Sequence, residues 1–194
     1  MKERKIGCLV MAAGNAERFG ENKLAAVYRG KMLIEHALDA VPRELFSQVV
    51  VVTQYPQIEA LAVRCGFTPV RNEEPRRGLS HTIRLGTQKL CDCDAVLYMV
   101  SDQPLLDADS VRCVIERWKE QPDAIVGAAH NGRRGNPCIF PKEFFPNLME
   151  LTGDCGGNVI IRAHPERLVT VEIPQKELSD VDTPEALQAL RRES

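Results

Sequence analysis

The chain has 194 residues, 44% of them hydrophobic, and a net charge of −2 at pH 7. This composition fits one globular domain over residues 1–194 and argues against general affinity for nucleic acid or membranes. The charged amino terminus leads into an apolar run that is too short for a signal peptide or a membrane span. We therefore expect a cytoplasmic protein.

Strand and helix patterns alternate along the chain, with no Ser/Gly linker and no repeat. Continuous apolar runs predict strands at Ile6–Met11, Gln48–Thr53, Ala95–Val100, Ala124–Ala129 and Leu168–Ile173. Helical periodicity predicts helices at Met32–Val41, Gln57–Cys65, Ser80–Leu90, Ser110–Glu120, Pro141–Leu151 and Pro184–Arg192. This order predicts an α/β fold, a doubly wound and mostly parallel sheet with helices on both faces.

Ligands of doubly wound sheets bind beyond the carboxyl ends of the strands. The turns after Met11 and after Val100 are therefore expected at one edge of the sheet. The segment from Arg133 to Gly157 is less regular, and we expect it to form a flap of short strands and a helix over that edge.

The seven cysteines and four histidines give little sign of a metal site or of disulfides. The cysteine number is odd, no Cys-x-x-Cys pair is present, and the histidines share no metal-ligand spacing. We expect reduced, mostly buried cysteines.

The first predicted strand ends in a turn suited to a polyphosphate. Its small residues let a backbone approach a ligand closely and direct N–H groups at an anion; they are Ala12, Ala13 and Gly14. Arg18 and Lys23 follow and add two cations. The spacing Gly14-x5-Gly20-x2-Lys23 is neither a Walker P-loop nor a GxGxxG dinucleotide fingerprint.

Two acidic motifs are candidates for binding a metal. Asp102 directly follows the strand Ala95–Val100, a position well suited to Mg²⁺ near a polyphosphate loop. An ordinary turn also explains this motif, since Asp and Pro both favour turns. Asp182 precedes the last predicted helix, where capping of the helix is by itself a sufficient explanation.

Three further segments contain loops next to helices. In Pro75–Gly86, the positive end of a helix with the Ser80 and Thr82 hydroxyls can meet phosphates, or Ser80 can simply cap the helix. The loops Arg134–Phe140 and Thr152–Gly157 flank one predicted helix and make a plausible acceptor site, although the second loop is also explained as a plain turn.

These segments resemble, in chain order, motifs of the nucleotidyltransferases, and most closely those of the molybdenum cofactor cytidylyltransferases. The first segment resembles the signature LAAGxSxRMGxxK, and the residues that match are Gly14, Arg18, Gly20 and Lys23. The others resemble GLSxSLRxG, GDQP, RGHPVLF, GDxGGR and D-[IV]-DTPED. Asn136 stands in place of His and Asn158 in place of Arg, where the acceptor is expected.

The resemblance implies transfer of CMP from CTP to the phosphate of molybdopterin, the organic part of the molybdenum cofactor, with release of pyrophosphate. The implied catalytic residues are Arg18, Lys23 and Asp102. The implied nucleotide contacts are Ala12, Ala13, Gly14, Arg18, Lys23, Gly78, Leu79 and Ser80. Asp102 and Asp182 would bind Mg²⁺, with Mn²⁺ as the alternative, and the acceptor would meet Asn136 and Asp154.

The choice of base depends on Ala13. Related guanylyltransferases usually carry a second Gly there, and the Ala13 methyl leaves less room, which favours a pyrimidine. The same motifs also fit a guanylyltransferase, a sugar- or polyol-phosphate nucleotidyltransferase, or a non-catalytic protein that binds nucleotide and delivers a cofactor. A recipient molybdoenzyme is a further partner that the resemblance suggests.

Overall fold

The computed structural model describes residues 4–14 and 22–192. Its strands are β1 (Ile6–Ala12), β2 (Val27–Tyr28), β3 (Lys31–Met32), β4 (Gln48–Thr53), β5 (Thr68–Arg71), β6 (Ala95–Val100), β7 (Ile125–His130), β8 (Arg133–Pro141) and β9 (Leu168–Glu172). Its α-helices are α1 (Leu33–Asp39), α2 (Pro56–Arg64), α3 (Leu79–Lys89), α4 (Ala108–Glu120), α5 (Phe145–Glu150), α6 (Asn158–Ala163) and α7 (Pro184–Arg192).

Seven strands form the main sheet, in the order β5-β4-β1-β6-β8-β7-β9. Neighbours are parallel except β8, which runs antiparallel to both β6 and β7. Helices lie in the connections from β1 to β4, from β4 to β5 and from β5 to β6, as expected for strands that run parallel in one sheet. The predicted doubly wound, mostly parallel sheet is confirmed.

Helices cover both faces of this sheet. One core joins alternate strand residues such as Val10 and Val51 to apolar side chains of α1, α2 and α4. The other core joins Leu9 and Val50 to side chains of α3, α5 and α6. Consecutive residues of a strand point to opposite faces, so burial on both sides explains why these strands are continuously apolar.

The five predicted strands are present, but the expectation of a flap over 133–157 is wrong. Arg133–Pro141 is a nine-residue strand, β8, that lies in the sheet between β6 and β7. Asn131 and Gly132 have φ values of 49° and 77° and form a two-residue turn between β7 and β8. Such a turn matches the twist of a hairpin and sends the chain directly back along β7.

The cysteines differ from the expectation in burial. Cys8, Cys93 and Cys138 are buried, whereas four others are exposed: Cys65, Cys91, Cys113 and Cys155. All seven are free thiols. Within the described ranges, no helix is long and apolar enough to cross a membrane.

Candidate functional site

A cavity of about 850 Å³ lies at the carboxyl edge of β1 and β6. Small-molecule sites usually measure about 300–1,000 Å³, so this cavity can hold a nucleotide together with part of a second substrate. Most of the singled-out residues line it, namely Ala13, Gly14, Lys23, Gly78, Leu79, Asp102, Asp154 and Asp182. Ala12, Ser80 and Asn136 are not among the lining residues, and Arg18 and Gly20 lie outside the described residues.

Strand register brings the two most specific motifs together. β1 and β6 are parallel neighbours, with Met11 opposite Val100. Beyond that pair, the Ser101 hydroxyl donates a hydrogen bond to the Met11 carbonyl at 2.8 Å. The turn after β1 and the Asp102 segment therefore start side by side, as expected for turns at one sheet edge.

Two residues that the sequence did not single out hold the turn after β1. Gln54 Nε2 donates to the Ala13 carbonyl at 3.0 Å, and the Tyr55 hydroxyl donates to the Gly14 carbonyl at 3.1 Å. In a trans peptide the N–H points opposite to the C=O, so the Gly14 N–H is directed away from Gln54. Gln54 and Tyr55 could have been found from the sequence by their position directly after β4, at the same edge of the sheet.

Lys23 joins the two aspartates expected to bind metal. Its Nζ lies 2.7 Å from Asp102 Oδ2 and 3.1 Å from Asp182 Oδ1. Burial disfavours the charged ammonium, but the Asp102 carboxylate, and then Asp182, outweigh burial and raise the pKa of Lys23. The residue is therefore a firmly held cation at neutral pH.

A third carboxylate, Asp180, lies beside this group. The Val181 N–H donates to the Asp102 carbonyl at 2.8 Å, which fixes the 180–182 segment against the end of β6. Gln103 Nε2 donates to Asp180 Oδ1 at 2.9 Å. Burial, followed by the nearby Asp102 charge, raises the pKa of Asp180.

The aspartates fit a divalent metal ion of the kind that also binds substrate phosphates. Asp102 Oδ1 is buried and has no hydrogen-bond partner among the described residues, so one oxygen remains free to act as a ligand. No group of three or more His, Cys, Asp or Glu in the described part of the chain is arranged around a metal position. Mg²⁺ typically takes one or two carboxylates and completes its shell with phosphate and water.

The opposite wall is formed by two loops packed on each other. Asp154 Oδ1 accepts the Leu79 N–H at 3.2 Å, and the Gly153 carbonyl accepts the Ser80 N–H at 3.2 Å. A Cβ on Gly78, which has a φ of 84°, would lie 2.4 Å from the Gly153 oxygen. Only glycine fits this approach.

The start of α3 therefore differs from the expectation. Ser80 is buried inside the helix and does not cap it, while Gly78 precedes the first helical residue. The first N–H groups, which we expected to meet phosphates, already donate to the 153–154 loop. Gly78 and Leu79 can still contact a ligand through their other atoms, because both line the cavity.

Asn136 and Asn158, the two residues that depart from the motif pattern, lie in elements that contact each other. Arg134 on β8 donates to Asn158 Oδ1, at the start of α6, at 3.0 Å. Asn136 lies two residues further along β8, and its contact with an acceptor stays a prediction.

Comparisons with known proteins show the family to which the chain belongs. Residues 8–168 match the family model of the MobA-like NTP transferase domain. The purine catabolism protein PucB of Bacillus subtilis is 24% identical in an alignment of 195 positions that covers 94% of each chain. The 2-C-methyl-D-erythritol 4-phosphate cytidylyltransferase of Dehalococcoides mccartyi is 24% identical, over 95% of this chain and 73% of the relative.

Solved structures share the fold. The crystal structure of Rv0371c from Mycobacterium tuberculosis H37Rv has a TM-score of 0.82 and 25% identity, and the match covers 99% of this chain and 100% of the other. A manganese complex of the same protein has a TM-score of 0.77 and 22% identity, over 98% of this chain and 100% of the other. Because the family model matches most of this chain, the chain is a nucleotidyltransferase that belongs to the MobA-like NTP transferase family.

Proposed function

We propose that this nucleotidyltransferase transfers CMP from CTP to the terminal phosphate of molybdopterin, with or without its metal, and releases pyrophosphate. The observation that carries the proposal is the convergence of Lys23, Asp102 and Asp182 beside the Ala13–Gly14 turn in one cavity. A held cation, two carboxylates and a turn of small residues are the groups that nucleotidyl transfer requires. We also propose that the chain works as one domain.

The chemistry needs little from the protein beyond positioning and charge. A phosphate oxygen of the acceptor attacks the α-phosphorus of CTP, and the bond from that phosphorus to the bridging oxygen of the pyrophosphate breaks. The attacking oxygen is already ionised, so no general base is needed. Negative charge grows on the leaving pyrophosphate, and Lys23 lines the cavity where it can neutralise that charge. We propose the same role for Arg18.

Asp102 and Asp182 would hold Mg²⁺ or Mn²⁺. When bound, the ion neutralises phosphate charge and helps to orient the nucleotide. Asp102 Oδ1, which has no hydrogen-bond partner within residues 4–14 and 22–192, supports this role, and the manganese complex of the mycobacterial protein supports a divalent ion in this fold. The backbone of Asp102 is fixed by the hydrogen bond that its carbonyl accepts from the Val181 N–H.

CTP is favoured over GTP by two observations. Ala13 is buried and lines the cavity, and we propose that its methyl group leaves less room beside the turn than the glycine that related guanylyltransferases usually carry there. One of the relatives is itself a cytidylyltransferase. We propose nucleotide contacts for Ala12, Gly14, Gly78, Leu79 and Ser80, and acceptor contacts for Asn136 and Asp154.

A polyol phosphate is the second candidate acceptor. The Dehalococcoides relative is named for transfer to 2-C-methyl-D-erythritol 4-phosphate, an acceptor that also offers an ionised phosphate. The attack would be the same, so the acceptor has to be identified from the product.

Mass analysis of the product separates these choices. The protein is incubated with equimolar CTP and GTP, Mg²⁺, and either molybdopterin or 2-C-methyl-D-erythritol 4-phosphate. The proposal predicts a CMP adduct of molybdopterin as the main product. A GMP adduct would contradict the base choice, and an adduct formed only on the polyol phosphate would contradict the acceptor.

A further inference from the structure

The position of Lys23 conflicts with the simplest view of metal binding at this site. The aspartates proposed to hold a divalent ion, Asp102 and Asp182, both contact the Lys23 ammonium. An ammonium in that position and a metal ion bound between the same two carboxylates exclude each other, by space and by charge. One of them has to leave before the other binds.

The Lys23–Asp102 contact is the stronger of the two. The side chains of Lys23 and Asp102 are only 17% and 18% exposed, so water screens their charges little. Asp182 is 56% exposed, and its contact with Lys23 contributes less. Asp180 lines the same cavity, and loss of the Lys23 charge would leave the mutual repulsion of the three carboxylates less compensated.

The backbone at Lys23 is fixed, so a change of partners for its ammonium requires movement of the side chain alone. Lys23 begins a one-turn 3-10 helix, Lys23–Ala25, and Asn22 caps that helix by accepting the Leu24 N–H at 3.1 Å. Leu24 anchors the turn, since it is buried in the core. A lysine carries its charge on a flexible four-carbon chain, so the ammonium can move across the cavity without backbone movement.

We propose that Lys23 occupies the divalent-cation position in the nucleotide-free protein, and that the metal enters only together with the nucleotide. This inference rests on the proposed function in that the ligand carries phosphates, which replace the carboxylates as partners of the Lys23 ammonium. The released aspartates then accept the metal ion. The species that the site binds is the metal–nucleotide complex, and free metal binds weakly.

Mn²⁺ binding to the nucleotide-free protein tests this exchange without any turnover. Free Mn²⁺ is counted from its electron paramagnetic resonance signal during titration of the wild type, Lys23→Gln, Lys23→Met and Lys23→Arg. Lys31→Gln is the matched control, because Lys31 forms an exposed ion pair with Asp39 away from the cavity. The same titrations are repeated with CTP present.

Removal of the lysine charge is expected to tighten Mn²⁺ binding about tenfold in Lys23→Gln and Lys23→Met. Lys23→Arg and Lys31→Gln are expected to bind Mn²⁺ as weakly as the wild type does. CTP should strengthen Mn²⁺ binding to the wild type more than to Lys23→Gln. Equal Mn²⁺ affinity of wild type and Lys23→Gln without nucleotide, weak or tight, would overturn the proposal.

Two controls keep the result interpretable. If the neutral variants are too unstable for titration, Mn²⁺ should raise their melting temperature more than that of the wild type, and an equal rise contradicts the proposal. The Mn²⁺ titrations without nucleotide need neither CTP nor acceptor, so their result remains valid if the proposed reaction is not observed. A wild type that binds neither CTP nor GTP would overturn the proposed function but not the competition between Lys23 and metal.

Discussion

Gln54 and Tyr55 belong to none of the motifs, yet they hold the turn that those motifs identify. Their side chains bind the carbonyls of Ala13 and Gly14, while Ser101 binds the carbonyl of Met11. Side-chain hydrogen bonds thus fix the peptide orientations at the end of β1. Motif matching finds residues that touch the ligand, and it misses residues that act one contact further away.

Removal of the Tyr55 hydroxyl should weaken nucleotide binding. Tyr55→Phe loses the hydrogen bond to the Gly14 carbonyl, which lowers the stability of this conformation of the turn by about 1 kcal/mol. We expect a KM for the nucleotide about fivefold higher, with kcat less affected. Tyr98→Phe is the control, because the Tyr98 hydroxyl forms a hydrogen bond with buried Thr87 at 2.8 Å and Tyr98 is not among the residues that line the cavity. That variant should lower stability and leave KM unchanged; the same KM in both variants would argue against the role of Tyr55.

Gly78 is the position where the backbone leaves least room. Gly78→Ala places a methyl group against the Gly153 carbonyl and strains a residue with positive φ. Gly66→Ala introduces the same kind of strain, at a φ of 73°, with no atom within 4 Å of the new Cβ. We expect losses in the free energy of unfolding of about 3 kcal/mol and about 1 kcal/mol, respectively. Urea denaturation measures both, and equal losses would mean that the loops are not packed as described.

Among the helices and strands, those that the apolar runs predict as strands are present, while the sequence missed the strands β2, β3, β5 and β8 and the helix α6. Thr68–Arg71 is an edge strand that contains Pro69, so its apolar signal is weak. β8 begins with polar residues, because its first half extends past the end of its pairing with β6. The Asn131-Gly132 pair was the available hairpin signal, and it would have placed β8 in the sheet.

The contact between α3 and the 153–154 loop could not be predicted, because a backbone N–H of Leu79 donates to the Asp154 side chain 75 positions away in the sequence. Its importance can be tested by Asp154→Ala. The variant loses the acceptor of the Leu79 N–H at the start of α3, which should cost about 1 kcal/mol of stability. We also expect a higher KM for one substrate, since the loop lines the cavity.

The control for this element is Asp107→Ala. Asp107 caps α4 by accepting the Asp109 N–H at 2.8 Å, and it is not among the residues that line the cavity. Thermal unfolding should show a similar loss in both variants, whereas steady-state kinetics should show a change of KM in Asp154→Ala alone. Unchanged kinetics in both would reduce the 153–154 loop to a purely structural element.

For the whole molecule, the sheet order explains why distant motifs form one site. β1 and β6 lie side by side at its centre, and the segment before α7 returns to their carboxyl ends through Val181. The sequence predicted this common edge, since it follows from parallel topology. It could not predict that Lys23 bridges the aspartates, which depends on side-chain positions.

The burial of the cysteines gives a test of the folded molecule as a whole. Burial raises the pKa of the Cys138 thiol to about 12 and also raises the pKa values of Cys8 and Cys93. A thiol with a raised pKa has little reactive thiolate at pH 8. Because a disulfide reagent must also reach the thiol, it should modify only the four exposed cysteines of the native protein, with Cys65 slower since burial also raises the pKa of its thiol, and all seven after unfolding. Fast native modification of Cys138, detected by peptide mapping, would contradict the position of β8 in the sheet.

We propose that nucleotide transfer in this cavity depends on Asp102 and Lys23. The most direct test measures pyrophosphate release from CTP and Mg²⁺, with and without molybdopterin, for the wild type and Asp102→Ala. The wild type should release pyrophosphate only with the acceptor present, and the variant should lose at least about a hundredfold of this activity. Equal release by both proteins, or none with the acceptor present, would contradict it.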